Sequence, residues 1–307
     1  MQDRPMGDPE VPGDLAAIMA DRRRLVEAGL ERWLPQQGDH PPTIHEAMRY
    51  SVFAGGKRLR PLLVLLACEA VGGNPEDALP AAVALEMIHT YSLIHDDLPA
   101  MDDDDYRRGR RTCHRVYGEA VAILAGDALL THAFQVLADP AATRVPPAQR
   151  LQVVAEIAEA AGSRGMVGGQ AMDILAEGRE IDRPTLLYLH THKTGALIRA
   201  SVRVGAIAGG AGEEQLLALT RYGERIGLAF QIVDDILDIE GSSAEMGKTA
   251  GSDLRRKKAT YPAVMGLEES RRQATHLLQE AKEALHTLGE KGAILAALAD
   301  FIGSRRH

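Results

Sequence analysis

Apolar residues recur at helical spacing along most of the chain, and no segment alternates with period two over the length of a strand. Asp14 is placed to cap a first helix running to about Leu34, with Leu15, Ile18, Met19 and Leu25 on one face. Pro35 and the Pro41-Pro42 pair break it. A second helix starts near Thr43, with Glu46 completing a capping box, and ends before Gly55-Gly56. Lys57-Arg58-Leu59-Arg60-Pro61 then leads into an apolar helix that reaches Val71 and stops at Gly72-Gly73-Asn74-Pro75. A long helix covers 76–98, and Pro99 fixes its end. The spacing predicts further helices over 117–138, 147–172, 184–208 (interrupted at Gly195), 213–239, 261–288 and 293–302, with a polar, charged loop at 242–260.

This pattern predicts an all-α fold, a single-domain bundle of about ten helices. Residues 1–12 are polar and rich in Pro and Gly, a flexible start, and 13–307 form the domain. Of 307 residues, 45% are hydrophobic but only 4% aromatic, which favours an Ala/Leu-rich helical interior. The net charge of −8 argues against a nucleic-acid partner. The two cysteines, Cys68 and Cys113, have no metal-type spacing and suit reduced thiols of a cytoplasmic protein. The N-terminus lacks the apolar core of a secretory signal, and the apolar run 62–67 is too short to cross a bilayer, so no transmembrane segment is expected.

Two aspartate-rich runs close two of the apolar helices: Asp96-Asp97-Leu98-Pro99-Ala100-Met101-Asp102 and Asp234-Asp235-Ile236-Leu237-Asp238. Clustered carboxylates repel one another beside apolar surface unless a cation joins them. Both runs also fall in last turns, where the helix dipole already disfavours negative charge. Asp234 and Asp238 share one helical face, and a turn after Pro99 can bring Asp102 back towards Asp96. Mg²⁺ is commonly held by one or two carboxylates plus substrate phosphates, so the pair of clusters points to a phosphorylated, partly apolar substrate.

The segments EMIHTYSLIHDDLPAMDDDDYRRGRRTCH and LAFQIVDDILDIEGSSAEMGKTAGSDLRRKKATYP resemble the two aspartate-rich regions of bacterial trans-isoprenyl diphosphate synthases, and AGGKRLRPLLVL resembles their basic diphosphate-binding motif. The resemblance implies an all-α bundle around a deep central cavity, usually a homodimer. It implies that Asp96 and Asp102, with Asp97 in support, hold two Mg²⁺ ions and Asp234 a third, with Asp238 in or near its shell; Mn²⁺ could substitute. Lys193, Lys248, Lys258 and Arg107 would contact the allylic diphosphate, and Asp253 a metal-bound water. Lys57, Arg60, His89 and Arg108 would bind isopentenyl diphosphate. Thr194 and Gln231 would turn oxygen dipoles towards the developing carbocation. His89 can equally be a core histidine, His95 and His114 suit local structural roles, and Arg305-Arg306 either fold over the isopentenyl site or fray.

Tyr91 and Ser92 stand one turn before Asp96, so a chain anchored there runs past them. A bulky residue at the position of Tyr91 resembles the farnesyl (C15) type, made from isopentenyl, dimethylallyl and geranyl diphosphates. A geranylgeranyl (C20) synthase is the alternative. A class I terpene cyclase and a non-catalytic partner subunit are rivals of another kind. Both are disfavoured because the basic motif and both aspartate clusters are intact.

Overall fold

The computed structural model describes residues 13–240 and 260–305. It is an all-α bundle, and its strands among those residues are one two-residue pair. The helices are α1 (Gly13–Trp33), α2 (Pro42–Val52), α3 (Leu59–Ala70), α4 (Pro75–Asp96), α5 (Cys113–Tyr117), α6 (Glu119–Ala138), α7 (Pro147–Ala161), α8 (Met166–Ala176), α9 (Arg183–Leu189), α10 (Ala196–Ala208), α11 (Glu213–Glu240), α12 (Tyr261–Met265), α13 (Leu267–Ala284) and α14 (Ala293–Ser304).

Helix α4 is the central element. Its N-cap Asn74 accepts a hydrogen bond from the Glu76 N–H, and it is buried on nearly all sides, as its all-round apolar sequence requires. It packs on α3, α6 and α10. One continuous core joins these helices through residues such as Leu65, Leu85, Ile88, Leu129 and Val204, and a second core joins α3 and α10 to α11, α13 and α14.

Local chemistry cut several expected helices shorter. The helix expected over 117–138 starts at Glu119, because Gly118 at φ 84° separates it from a short helix over Cys113–Tyr117. The 147–172 helix breaks at Gly162–Gly165, where a side chain at Gly165 would meet the Ala160 carbonyl at 2.1 Å. Gly266 at φ 82° separates α12 from α13, and a 3₁₀ segment (Leu285–Gly292) precedes α14. The capping box expected at Thr43 does not form, since α2 starts one residue earlier, at Pro42, with no side-chain cap. Among the described residues, α6 is long and apolar enough to cross a membrane by length and composition, which the run at 62–67 was not. Its buried face, through Ala122, Ala125 and Leu129, lies in the core with α4.

Candidate active site

A cavity of about 370 Å³, within the range of small-molecule sites, opens along the C-terminal half of α4. Tyr91, Ser92 and Asp96 line it from α4, Gln170 and Ile174 from α8, and Lys193 and Thr194 from the segment before α10.

The turn expected after Pro99 is present. The Asp102 N–H donates to the Asp96 carbonyl at 2.8 Å and the Asp103 N–H to the Leu98 carbonyl at 3.0 Å, which folds Asp102 back over the end of α4. Asp97 points elsewhere. It is buried, and it accepts from Arg107 at 2.7 Å (Nε) and 2.5 Å (Nη2). Burial pushes its carboxyl up and the Arg107 guanidinium pulls it back down. Its contact is thus with Arg107, beside the cavity wall rather than on it.

Arg107 and Arg108 belong to a feature absent from the helical pattern. Tyr106–Arg107 pairs antiparallel with Arg110–Arg111, and the connecting Arg108 and Gly109 both have positive φ, at 54° and 74°. That is a type I′ hairpin turn. The Arg108-Gly109 dipeptide was its one sequence signal. The hairpin carries the Arg108 side chain onto the Gly55-Gly56 loop, where it donates to the Gly55 carbonyl. Gly56 has φ 126°, and a Cβ there would stand 2.5 Å from the Arg108 guanidinium carbon. A side chain there would be strained by the backbone and would have to displace that guanidinium.

Arg108, Arg60 and His89 therefore share one neighbourhood, with exposed Lys57 at its edge. Burial holds the His89 imidazole well below its usual pKa, and Arg60, Arg108, Arg107 and Arg58 add to the effect. Burial likewise lowers Arg60 to about 10. A neutral imidazole near several guanidinium groups offers the donors and positive charge that suit an anion's oxygens. Arg58, although part of the same basic run, faces inwards. It sits at φ 52° and donates to Glu27 on α1 (2.8 Å), Glu86 on α4 (2.6 Å) and the Val52 carbonyl at the end of α2 (2.7 Å).

Across the cavity, Lys193 and Thr194 lie in a single π-turn, His190–Gly195, the form the Gly195 interruption takes. Such turns concentrate at functional sites. It fits only because α8 presents Gly169 here, where a Cβ would lie 2.2 Å from the Lys193 nitrogen. The Lys193 ammonium meets Asp173 at 2.5 Å. The Thr194 hydroxyl donates to Gln231 Oε1 at 2.7 Å, and Gln231 Nε2 donates to Asp235 Oδ1 at 2.8 Å. Asp235 also accepts from the Tyr261 N–H at 2.7 Å and lies 3.4 Å from His190 Nε2. So Thr194 is on the cavity wall, and Gln231 stands behind it as its support. Asp173 and Asp235 are functional partners that the sequence reading did not assign; their spacing to Lys193 and Thr194 gave no signal.

Asp234, one residue earlier, faces Arg305 at the end of α14. Arg305 donates to its Oδ1 at 2.8 Å. Asp238, a turn later, is buried. The expected contacts of Lys248, Lys258, Asp253 and Arg306 lie outside the described residues. Among the described residues no three His, Cys, Asp or Glu side chains converge on one point. The donors are hard carboxylate oxygens of the kind that bind Mg²⁺ or Mn²⁺ with substrate phosphates completing the shell, and at Asp234 a guanidinium already stands as the neighbouring cation.

A helical bundle with a cleft, two carboxylate clusters and neighbouring arginines has the donors and cations that suit a phosphorylated ligand. The family model of polyprenyl synthetases matches residues 41–298, and the chain belongs to that family. It is a trans-prenyltransferase. It is 48% identical to a geranylgeranyl diphosphate synthase of Cyanophora paradoxa, over 96% of this chain and 97% of the relative. It is 46% identical to a farnesyl diphosphate synthase of Geobacillus stearothermophilus, over 94% and 97%. The apo crystal structure of an FPP/GFPP synthase from Zymomonas mobilis superposes with a TM-score of 0.85 at 39% identity, covering 94% of this chain and 99% of that one.

Proposed function

We propose that the chain is a Mg²⁺-dependent farnesyl diphosphate synthase, condensing isopentenyl diphosphate with dimethylallyl and then geranyl diphosphate to (E,E)-farnesyl diphosphate. The observation that carries the C15 reading is Tyr91, 7% exposed and on the cavity wall one turn before Asp96. A chain growing from a diphosphate at Asp96 meets that ring after a few isoprene units. The similarity to a geranylgeranyl diphosphate synthase keeps a C20 product as the second reading.

In this reading Asp96 and Asp102 would hold Mg²⁺, as would Asp234 with Asp238 near its shell. Bound Mg²⁺ supplies a Lewis acid that lets diphosphate leave. Lys193, kept in place by Asp173, and Arg107, kept in place by Asp97, neutralise the leaving group. Lys57, Arg60, His89 and Arg108 bind isopentenyl diphosphate. The allylic C–O bond breaks with its electron pair on diphosphate. The isopentenyl double bond attacks the carbocation, whose charge Thr194 faces with an oxygen lone pair, and the released diphosphate takes the proton. The reading also carries a cytoplasmic location and a homodimer; Ile123 and Leu124, 44% and 56% exposed on α6, support the dimer, which light scattering tests.

The test is a product assay with labelled isopentenyl diphosphate, Mg²⁺ and, separately, dimethylallyl, geranyl and farnesyl diphosphates. Farnesol after dephosphorylation, with farnesyl diphosphate refused as a starter, is the expected result. Geranylgeraniol would overturn the C15 reading, and no elongation from any starter would overturn the synthase.

A further inference from the structure

His95 is tied to Tyr91 by more than sequence spacing. The two are i and i+4 on α4 and share a face. Their rings meet edge to face, with centroids 5.7 Å apart and planes at 77°. Both line the cavity. The far side of the His95 ring is gripped by α6. Its Nε2 lies 3.0 Å from the Ile123 carbonyl oxygen, which can only accept, so Nε2 carries the proton. Asp127 Oδ1 stands 3.9 Å from the same nitrogen. The grip depends on Gly126, where a Cβ would lie 2.2 Å from Nε2. Any side chain at that position displaces the ring.

The rest of the deep wall gives less definition. Met101 and Met166 are unbranched and adaptable, and Val167 and Ile174 are 47% and 43% exposed. The rigid part of the wall is the stack Tyr91–His95–Gly126.

We propose that His95, seated against Gly126, is a positioning residue that fixes the attitude of the Tyr91 ring and thereby the length of chain the cavity admits. This rests on the reading of Tyr91 as the floor. Without the imidazole behind it, the phenol has room to swing towards α6 and the cavity deepens.

The experiment is a product-length assay, with geranyl diphosphate as starter, on the wild type, Tyr91→Ala, His95→Ala and the double variant. The readout is the ratio of C20 to C15 product, which loss of stability or total turnover does not move. His95→Ala is expected to raise that ratio about ten-fold, the scale of discrimination set by one pocket wall, and to add nothing in the Tyr91→Ala background. If Tyr91→Ala lengthens the product while His95→Ala leaves the ratio unchanged, the inference is overturned and the floor reading stands. An equal rise in both backgrounds also overturns it, because His95 would then act as a wall by itself. If Tyr91→Ala leaves the ratio unchanged, the floor reading fails and takes the inference with it. Should His95→Ala not fold, Gly126→Ala displaces the ring without deleting it. It is expected to change the ratio beside Tyr91 and not beside Ala at that position; a change in neither background would overturn the inference.

Discussion

Arg305 reaches from the end of α14 to Asp234 in the second aspartate cluster, Nη1 to Oδ1 at 2.8 Å, and its guanidinium lies over the Phe230 ring at 4.8 Å. The C-terminus thus covers a carboxylate that a metal ion would claim. A partly exposed pair of this kind is worth about 1 kcal/mol. Arg305→Ala should therefore lower the Mn²⁺ concentration for half-saturation by about five-fold, read by electron paramagnetic resonance on the protein without substrate. An unchanged or weaker affinity would show that Arg305 does not compete.

The Arg58–Glu86 pair is a different case. Its side chains are 1% and 2% exposed, so removing one partner strands a buried charge. Glu86→Ala should cost about 3–5 kcal/mol in urea unfolding. Arg58→Lys, which cannot reach Glu27, Glu86 and the Val52 carbonyl together, should be destabilised and should also bind isopentenyl diphosphate more weakly, because the same residue anchors the junction between the loop carrying Lys57 and the first turn of α3 carrying Arg60.

Acid sensitivity should depend in part on His190. Burial lowers it to about 4 from 6.5. The unfolded chain then binds a proton that the folded one refuses, so stability falls as pH drops from 6.5 towards 4. The loss approaches about 3 kcal/mol at the lower limit. The difference in urea midpoint between wild type and His190→Gln, followed over that window, should shrink steadily on acidification. A constant difference would remove His190 as a source.

Asp173 should matter to turnover although it was not a predicted site residue. Asp173→Asn keeps the shape but not the charge that fixes Lys193 at 2.5 Å. We expect kcat/KM for the allylic diphosphate to fall about ten-fold, with KM for isopentenyl diphosphate unchanged. An equal effect on both substrates would point to general disorder of the site.

Elements with strong periodicity were legible in the chain itself. Helices α1, α3, α4 and α11 lie within a few residues of the expected limits, and the fold-back of Asp102 follows from Pro99. What escaped was decided by contacts distant in sequence. The 106–111 hairpin is too short to alternate, yet it aims two arginines. The π-turn depends on a glycine of another helix. Asp97 and Asp235 look like their neighbours in the aspartate runs, but burial and specific partners set them to orienting Arg107 and Gln231. Neighbouring carboxylates divide their roles by which face of the helix end they occupy, and that face is known only once the helix is packed.

The absent side chain at Gly56 links the Gly55-Gly56 loop to a hairpin some fifty residues later in the chain. A charged member of the basic pocket can be exchanged and leave its neighbours in place. A methyl group at Gly56 would strain the loop at φ 126° and drive the Arg108 guanidinium off the Gly55 carbonyl. A position in a pocket defined by positive charge can thus matter while carrying no charge itself, because its bareness is the seat for a neighbour's guanidinium.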